Sequence, residues 1–212
     1  MREFILILIE LIEKNKKNHH FSNLMKKIKV VAVGDSNTNK TAFIRILSNG
    51  YNDYHESIGY EFVSARVDVD DESHEVHIWD TSGQERFKSI AKAYLRGASG
   101  AFLMYNPAIR STFDSLPNHI KFIKEIAEPK IIIMLIANKV NPDDPIEVSN
   151  EEGQSFAEKN GLLFGNVLLL PEDIDVCECL HRLVYKIVKS DVAEQEKQEK
   201  QEKPKSKIFS FF

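Results

Sequence analysis

The chain has 212 residues, a length that one hydrophobic core serves and that leaves little room for a second full domain. Its 42% hydrophobic and 28% charged residues, with a net charge of −4, form an ordinary globular profile with no basic excess for nucleic acid. Charge alone therefore names no partner.

In chain order, the first feature is an apolar run, Phe4-Ile5-Leu6-Ile7-Leu8-Ile9. Glu10 and Glu13 interrupt it, it falls short of the roughly 20 residues a spanning helix needs, and no small-residue cleavage site follows. An interfacial helix or an unstructured leader remains for this N-terminal extension, residues 1–25. Met25 stands just before Lys26-Lys27-Ile28-Lys29-Val30, so residues 1–24 are expected to be dispensable. From Ile28 onward, short β-branched runs alternate with longer amphipathic stretches, which implies an α/β domain with parallel strands and helical crossovers. Strands are predicted at 29–33, 61–69, 75–79, 101–105, 131–137 and 162–168. The second and third pair as a hairpin turning at Asp70-Asp71-Glu72-Ser73. Helices are predicted at 41–48, 87–95, 113–126, 150–159 and 174–188. Ser111 is the expected cap of the third, and Asn49-Gly50 and Asn160-Gly161 are expected to end the first and fourth.

The most informative run is Gly34-Asp35-Ser36-Asn37-Thr38-Asn39-Lys40-Thr41, which follows a predicted strand and opens a predicted helix. That setting suits a phosphate-binding loop: backbone N–H groups and the helix dipole hold polyphosphate, Lys40 neutralises the β and γ phosphates, and the Thr41 hydroxyl ligates Mg²⁺. Asn39 occupies the place of the motif's glycine before the lysine and brings a Cβ where backbone normally approaches the ligand; Asn37 tolerates left-handed dihedrals. A Lys-Thr pair at a Gly-poor strand-to-helix turn is common by itself. A second run, Ile78-Trp79-Asp80-Thr81-Ser82-Gly83-Gln84-Glu85-Arg86-Phe87, falls at the end of the third strand, opposite the loop in a parallel sheet. There Asp80 reaches Mg²⁺ through water, the Gly83 amide meets the γ phosphate and Gln84 orients the attacking water. Asp-x-x-Gly after a strand is often only a turn, but the ten-residue run in this place is hard to reach by accident.

From about Lys27 to Lys189 the sequence resembles Rab GTPases of the Ras superfamily. The resemblance rests on the two runs above, on Ile58-Gly59-Tyr60-Glu61-Phe62 as switch I, and on Arg86-Phe87-Lys88-Ser89-Ile90 and Tyr94-Leu95-Arg96-Gly97-Ala98 as switch II. It implies a P-loop NTPase fold of the small G-protein kind, a mostly parallel six-stranded sheet with helices on both faces, over residues 26–190. It also implies GTP or GDP with Mg²⁺ as ligands, and Ser57, in place of the switch I threonine, as a further metal ligand beside Thr41 and Asp80. Phe62, Trp79 and Tyr94 fall where the family keeps an aromatic trio for effectors, exchange factors and GTPase-activating proteins; core packing is the alternative reading, and both can hold.

The base-reading side departs from the family. Asn138-Lys139-Val140-Asn141 matches Asn-Lys-x-Asp except at Asn141. Guanine offers two adjacent N–H donors to that carboxylate, whereas an amide has one acceptor oxygen beside its own NH₂. The lost pairing costs about 1–3 kcal/mol, roughly ten- to a hundredfold in affinity, and shifts preference toward a base with an acceptor there, such as xanthine. The family's last base motif, Ser-Ala-Lys, has no convincing counterpart in Leu163-Phe164-Gly165-Asn166-Val167-Leu168-Leu169-Leu170.

Cys177 and Cys179, two apart on a predicted helix, point to different faces and suit neither a disulfide nor a metal site. His74 and His77 face opposite sides of a strand, and His55, His119 and His181 are scattered, so the histidines offer no competing chemistry. Residues 191–212 read as a charged tail, disordered or a solvated helix, ending Ile208-Phe209-Ser210-Phe211-Phe212 behind Lys203, Lys205 and Lys207. No prenylatable cysteine stands near Phe212, so the expected membrane contact is at most weak and peripheral. The resemblance implies a cytoplasmic protein, peripheral on endomembranes. Two functions stay open: a slowly hydrolysing GTP switch in vesicle trafficking, and a pseudo-GTPase platform with weak or altered nucleotide binding.

Overall fold

In the computed structural model the described residues are 27–50, 62–81, 88–139, 141–169 and 174–202. The N-terminal extension, most of switch I with Ser57, and the Gly83-Gln84 pair lie outside them. Six strands, β1 (Ile28–Val33), β2 (Phe62–Val69), β3 (Glu72–Asp80), β4 (Gly100–Tyr105), β5 (Ile132–Lys139) and β6 (Leu163–Leu168), form one sheet in the order β2-β3-β1-β4-β5-β6. Only β2 runs antiparallel, paired with β3 from Phe62 opposite Trp79 to Val69 opposite Glu72. Asp70, at φ 54°, makes the tight turn between them, so the hairpin turn takes two residues rather than the four the polar run suggested.

The helices are α1 (Lys40–Gly50), α2 (Lys88–Leu95), α3 (Arg110–Asp114), α4 (Leu116–Ile126), α5 (Asn150–Asn160) and α6 (Ile174–Glu202). They cover both faces of the sheet. Val30, Ala32, Met134 and Ile136 pack with Phe43 and Leu47 of α1 and with Val176, Leu180, Leu183 and Ile187 of α6. The alternate residues Val31, Val33, Ile133 and Leu135 pack on the other face with Leu95, Phe113, Leu116, Ile120, Ile123 and Ala157. Period-two alternation through strands apolar on both sides is what a parallel sheet buried between two helical layers requires.

Two local expectations change. The helix predicted at 113–126 is two: α3 begins at Arg110 and the chain breaks at Ser115, with Pro117 in the first turn of α4. Ser111 lies inside α3 rather than capping it, because Ile109 holds the extended N-cap position without a side-chain bond. Cys179 of α6 is buried and Cys177, two residues before it, is half-buried. Ser149 caps α5 by accepting from the Glu152 N–H, and left-handed Gly161 ends it, as the Asn-Gly signal predicted. Helix α6 runs on to Glu202, and Lys130 holds it by bonds to Asp191 at 3.2 Å and Glu194 at 3.0 Å.

Candidate functional site

Parallel strands β1, β3, β4 and β5 all finish at one edge of the sheet, where α/β folds place their ligands. The β1/β3 register sets Ala32 beside Asp80, and the buried Thr81 hydroxyl donates to the Ala32 carbonyl at 2.7 Å, locking the two strand ends together. After Val33 the chain turns through Gly34. A Cβ there would stand 2.4 Å from the Met104 carbonyl oxygen, so only glycine lets the loop leave between β1 and β4.

Residues 35–39 curl ahead of α1 with Asn37 at φ 66° and Asn39 at φ 57°. Both asparagines are thus left-handed, and the position the motif gives to glycine keeps the glycine-like backbone. The Asn39 side chain donates to the Asn37 carbonyl at 3.4 Å, at an exposed point of the loop.

The loop carbonyls are taken one by one. Lys40, 3% exposed, threads back so that its ammonium donates to the carbonyls of Gly34 and Asp35, each at 2.9 Å. Thr38 Oγ1 also donates to the Asp35 carbonyl, at 2.9 Å. From the end of β4, the Asn106 amide donates to the Asn37 carbonyl at 3.3 Å. From β5, the fully buried Asn138 amide donates to the Thr38 carbonyl at 2.7 Å and the Asn39 carbonyl at 3.3 Å. In a trans peptide the C=O and the following N–H point oppositely. Carbonyls drawn toward β4 and β5 therefore turn the amides of Thr38, Asn39 and Lys40 the other way, toward the mouth of the loop. Thr41, next in α1, donates its hydroxyl to Asp80 Oδ2 at 2.6 Å.

Thr41 of α1 and Asp80 of β3 thus meet from separate elements. A hydroxyl and a carboxylate are hard oxygen donors, the set that Mg²⁺ takes, and a buried ammonium beside outward amides suits polyphosphate. The phosphate side fits the implied ligands.

The base-reading residues are arranged differently. Asn138 spends its NH₂ on the phosphate loop, and its buried Oδ1 has no hydrogen-bond donor among the described residues. Lys139 folds onto the Pro142 carbonyl at 2.8 Å. Asn141 closes a turn on itself: its Oδ1 accepts from the Asp143 N–H at 3.1 Å and its Nδ2 donates to Asp144 at 3.0 Å. Asn141 and Asn138 do not meet on a common target. The segment compared with the last base motif is not a loop at all, since its first six residues are β6, paired with Met134 to Lys139; the chain at 170–173 lies outside the described residues.

The aromatic trio is contiguous. Phe62 and Trp79 rings stand 4.8 Å apart, Trp79 and Tyr94 5.2 Å, and His77 stacks on Phe62 at 4.6 Å. All three aromatics are half-buried, so they pack with one another and still present area outward.

Three site neighbours escaped the sequence reading: Asn106, Ser115 and His119. His119, set aside as scattered, places its Nε2 2.8 Å from Asp35 Oδ1, and Ser115 donates to Asp35 Oδ2 at 2.5 Å. The available signal was position: the two stand one helical turn apart in the helical segment that follows β4, a strand that ends at the loop.

The sequence pattern of the Ras family matches residues 29–189. Over 138 residues the chain is 38% identical to Ras-related protein RABA1c of Arabidopsis thaliana, covering 64% of both. It is 38% identical over 138 residues to Ras-related protein Rab11D of Lotus japonicus, covering 64% of this chain and 63% of that one. Against Ras-related protein Rab11D of Nicotiana tabacum it is 39% identical over 138 residues, covering 64% and 62%. The chain thus spans a little under two thirds of the length of these relatives.

Proposed function

This chain belongs to the Ras family and is of Rab type, and from that premise we propose that it is a guanine-nucleotide switch that hydrolyses GTP and serves intracellular vesicle trafficking. One observation carries the reading: Thr41 from the phosphate loop and Asp80 from β3 meet at 2.6 Å beside the threaded Lys40. Asp35 to Thr41 would hold the phosphates, and Thr41, Ser57 and Asp80 would hold Mg²⁺, which supplies charge neutralisation when bound. From their places in the sequence, Gly83 would contact the γ phosphate and Gln84 would orient the attacking water. Asn138, Lys139 and Asn141 would read the base, Lys139 and Asn141 after giving up the bonds of their own turn. Partners read the Phe62-Trp79-Tyr94 surface, and an activating protein supplies the arginine that this kind of catalysis needs. Residues 26–190 are the working domain, with the flanking segments dispensable for nucleotide binding; the protein works in the cytoplasm and at the surface of endomembranes. Among the described residues no helix is long and apolar enough to cross a membrane.

A second reading has its own support. Asn141 and Lys139 are engaged within their own turn, which favours weak or altered base recognition on a pseudo-GTPase platform. Gentle purification, denaturation and chromatography of the released nucleotide separate the two. Near-stoichiometric guanine nucleotide supports the switch, no nucleotide supports the platform, and a different base supports altered specificity. For the enzymatic step, Gln84→Leu should slow GTP turnover without weakening binding; equal rates in variant and parent would remove Gln84 from that role.

A further inference from the structure

We propose that Ser115 and His119 are positioning residues which, acting through Asp35, set where the Lys40 ammonium stands; the proposal concerns the same loop as the function above and draws its functional weight from that reading. Asp35 is the hub. Its backbone carbonyl receives both Lys40 Nζ and Thr38 Oγ1, and its side-chain oxygens are divided between two residues at the start of α4. A carboxylate can only accept, so the His119 Nε2 facing it carries the hydrogen. Fixing the carboxylate at both oxygens fixes the χ angles of Asp35. With them it fixes the carbonyl on which the lysine rests.

The behaviour of Ser115 supports this independently. It occupies the N-cap of α4, where a serine oxygen ordinarily accepts from the first-turn amides, yet it makes no capping bond. Its hydroxyl lies 2.5 Å from Asp35 Oδ2 and 3.0 Å from the Thr112 carbonyl. Having one hydrogen, it gives that hydrogen to the charged acceptor, the stronger partner. The backbone at Ser115 is helical, at φ −80° and ψ −14°, rather than extended as at a capping residue, and its hydroxyl is left to hold the phosphate loop. Asn106, in the same β4-to-α4 connection, donates to the Asn37 carbonyl, so this one connection grips the loop at two points.

The test compares the full chain with His119→Ala and His119→Gln, whose side-chain NH₂ reaches about as far as Nε2. Two quantities are read: amide hydrogen exchange across residues 35–43, which needs no ligand, and GTP affinity in Mg²⁺. The expected result for His119→Ala is exchange about tenfold faster and GTP binding about tenfold weaker, with His119→Gln restoring both to within about twofold. A residue needed only to fill space would not be rescued by an amide. Unchanged exchange in His119→Ala, or no rescue by His119→Gln, overturns the clamp. If His119→Ala does not fold, Ser115→Ala against Ser115→Thr carries the same comparison with the same opposing outcomes. A parent that binds no GTP but shows the exchange pattern keeps the clamp and removes the switch; a parent that binds GTP with unaltered exchange in the variants does the reverse.

Discussion

The two halves of the carboxyl edge solve their hydrogen bonding in opposite ways. On the phosphate side, groups from different elements find one another: Lys40 with Gly34 and Asp35, Thr41 with Asp80, Asn138 and Asn106 with the loop carbonyls. On the base side, Lys139 and Asn141 bond to partners no more than three residues away in sequence. Long-range pairing pre-organises a site before ligand arrives, whereas a self-satisfied turn must give up its own bonds to read a base. Recognition should therefore lie mainly in the phosphates.

Removing the lysine should break the comparison most severely. Lys40→Ala deletes a buried cation and the bonds that shape the loop, and nucleotide affinity should fall by at least about a hundredfold, read by titration calorimetry. Repairing the other side should sharpen it: Asn141→Asp restores two acceptors for guanine and should raise the preference for GDP over XDP by roughly ten- to a hundredfold in competition binding. No change in the ratio would mean that the turn, not the amide, governs the base.

Tyr105 lies at the end of β4 and provides a control that touches neither side. Its hydroxyl is buried without a hydrogen-bond partner among the described residues, and burial, with a smaller contribution from Glu152, pushes the phenol pKa well up. Tyr105→Phe removes that unsatisfied group and should stabilise the fold by about 1 kcal/mol in urea unfolding while leaving nucleotide affinity unchanged. The smallest effect belongs to the far end of α6. Removing residues 191–212 takes away the two exposed Lys130 bonds and should cost no more than about 1 kcal/mol.

Strands β1, β4 and β5 were legible because parallel strands buried on both faces read as apolar runs, as Ile131 to Ile136 does, and the β2/β3 hairpin was legible from its polar turn. The meeting of Thr41 with Asp80 was legible because motif spacing and strand order together bring the phosphate loop beside the end of β3. What the sequence hid were contacts made across the fold. The break at Ser115 is a local backbone choice, and it breaks a helix that periodicity alone joins across 113–126. Asn138 looks like a base reader by motif, yet its NH₂ serves the phosphate loop a hundred residues away in sequence. His119 carries no motif, and only the packing of α4 beside the loop gives it a partner.

The central claim is that Thr41 and Asp80 act as one unit on the phosphates and their magnesium. A double-mutant cycle with Thr41→Ala and Asp80→Ala, read as GTP affinity at saturating Mg²⁺, tests it directly. The account predicts that the combined loss is smaller than the sum of the single losses, by more than about 1 kcal/mol. Strictly additive losses would mean that the two side chains serve separate ends, and the shared grip would be contradicted.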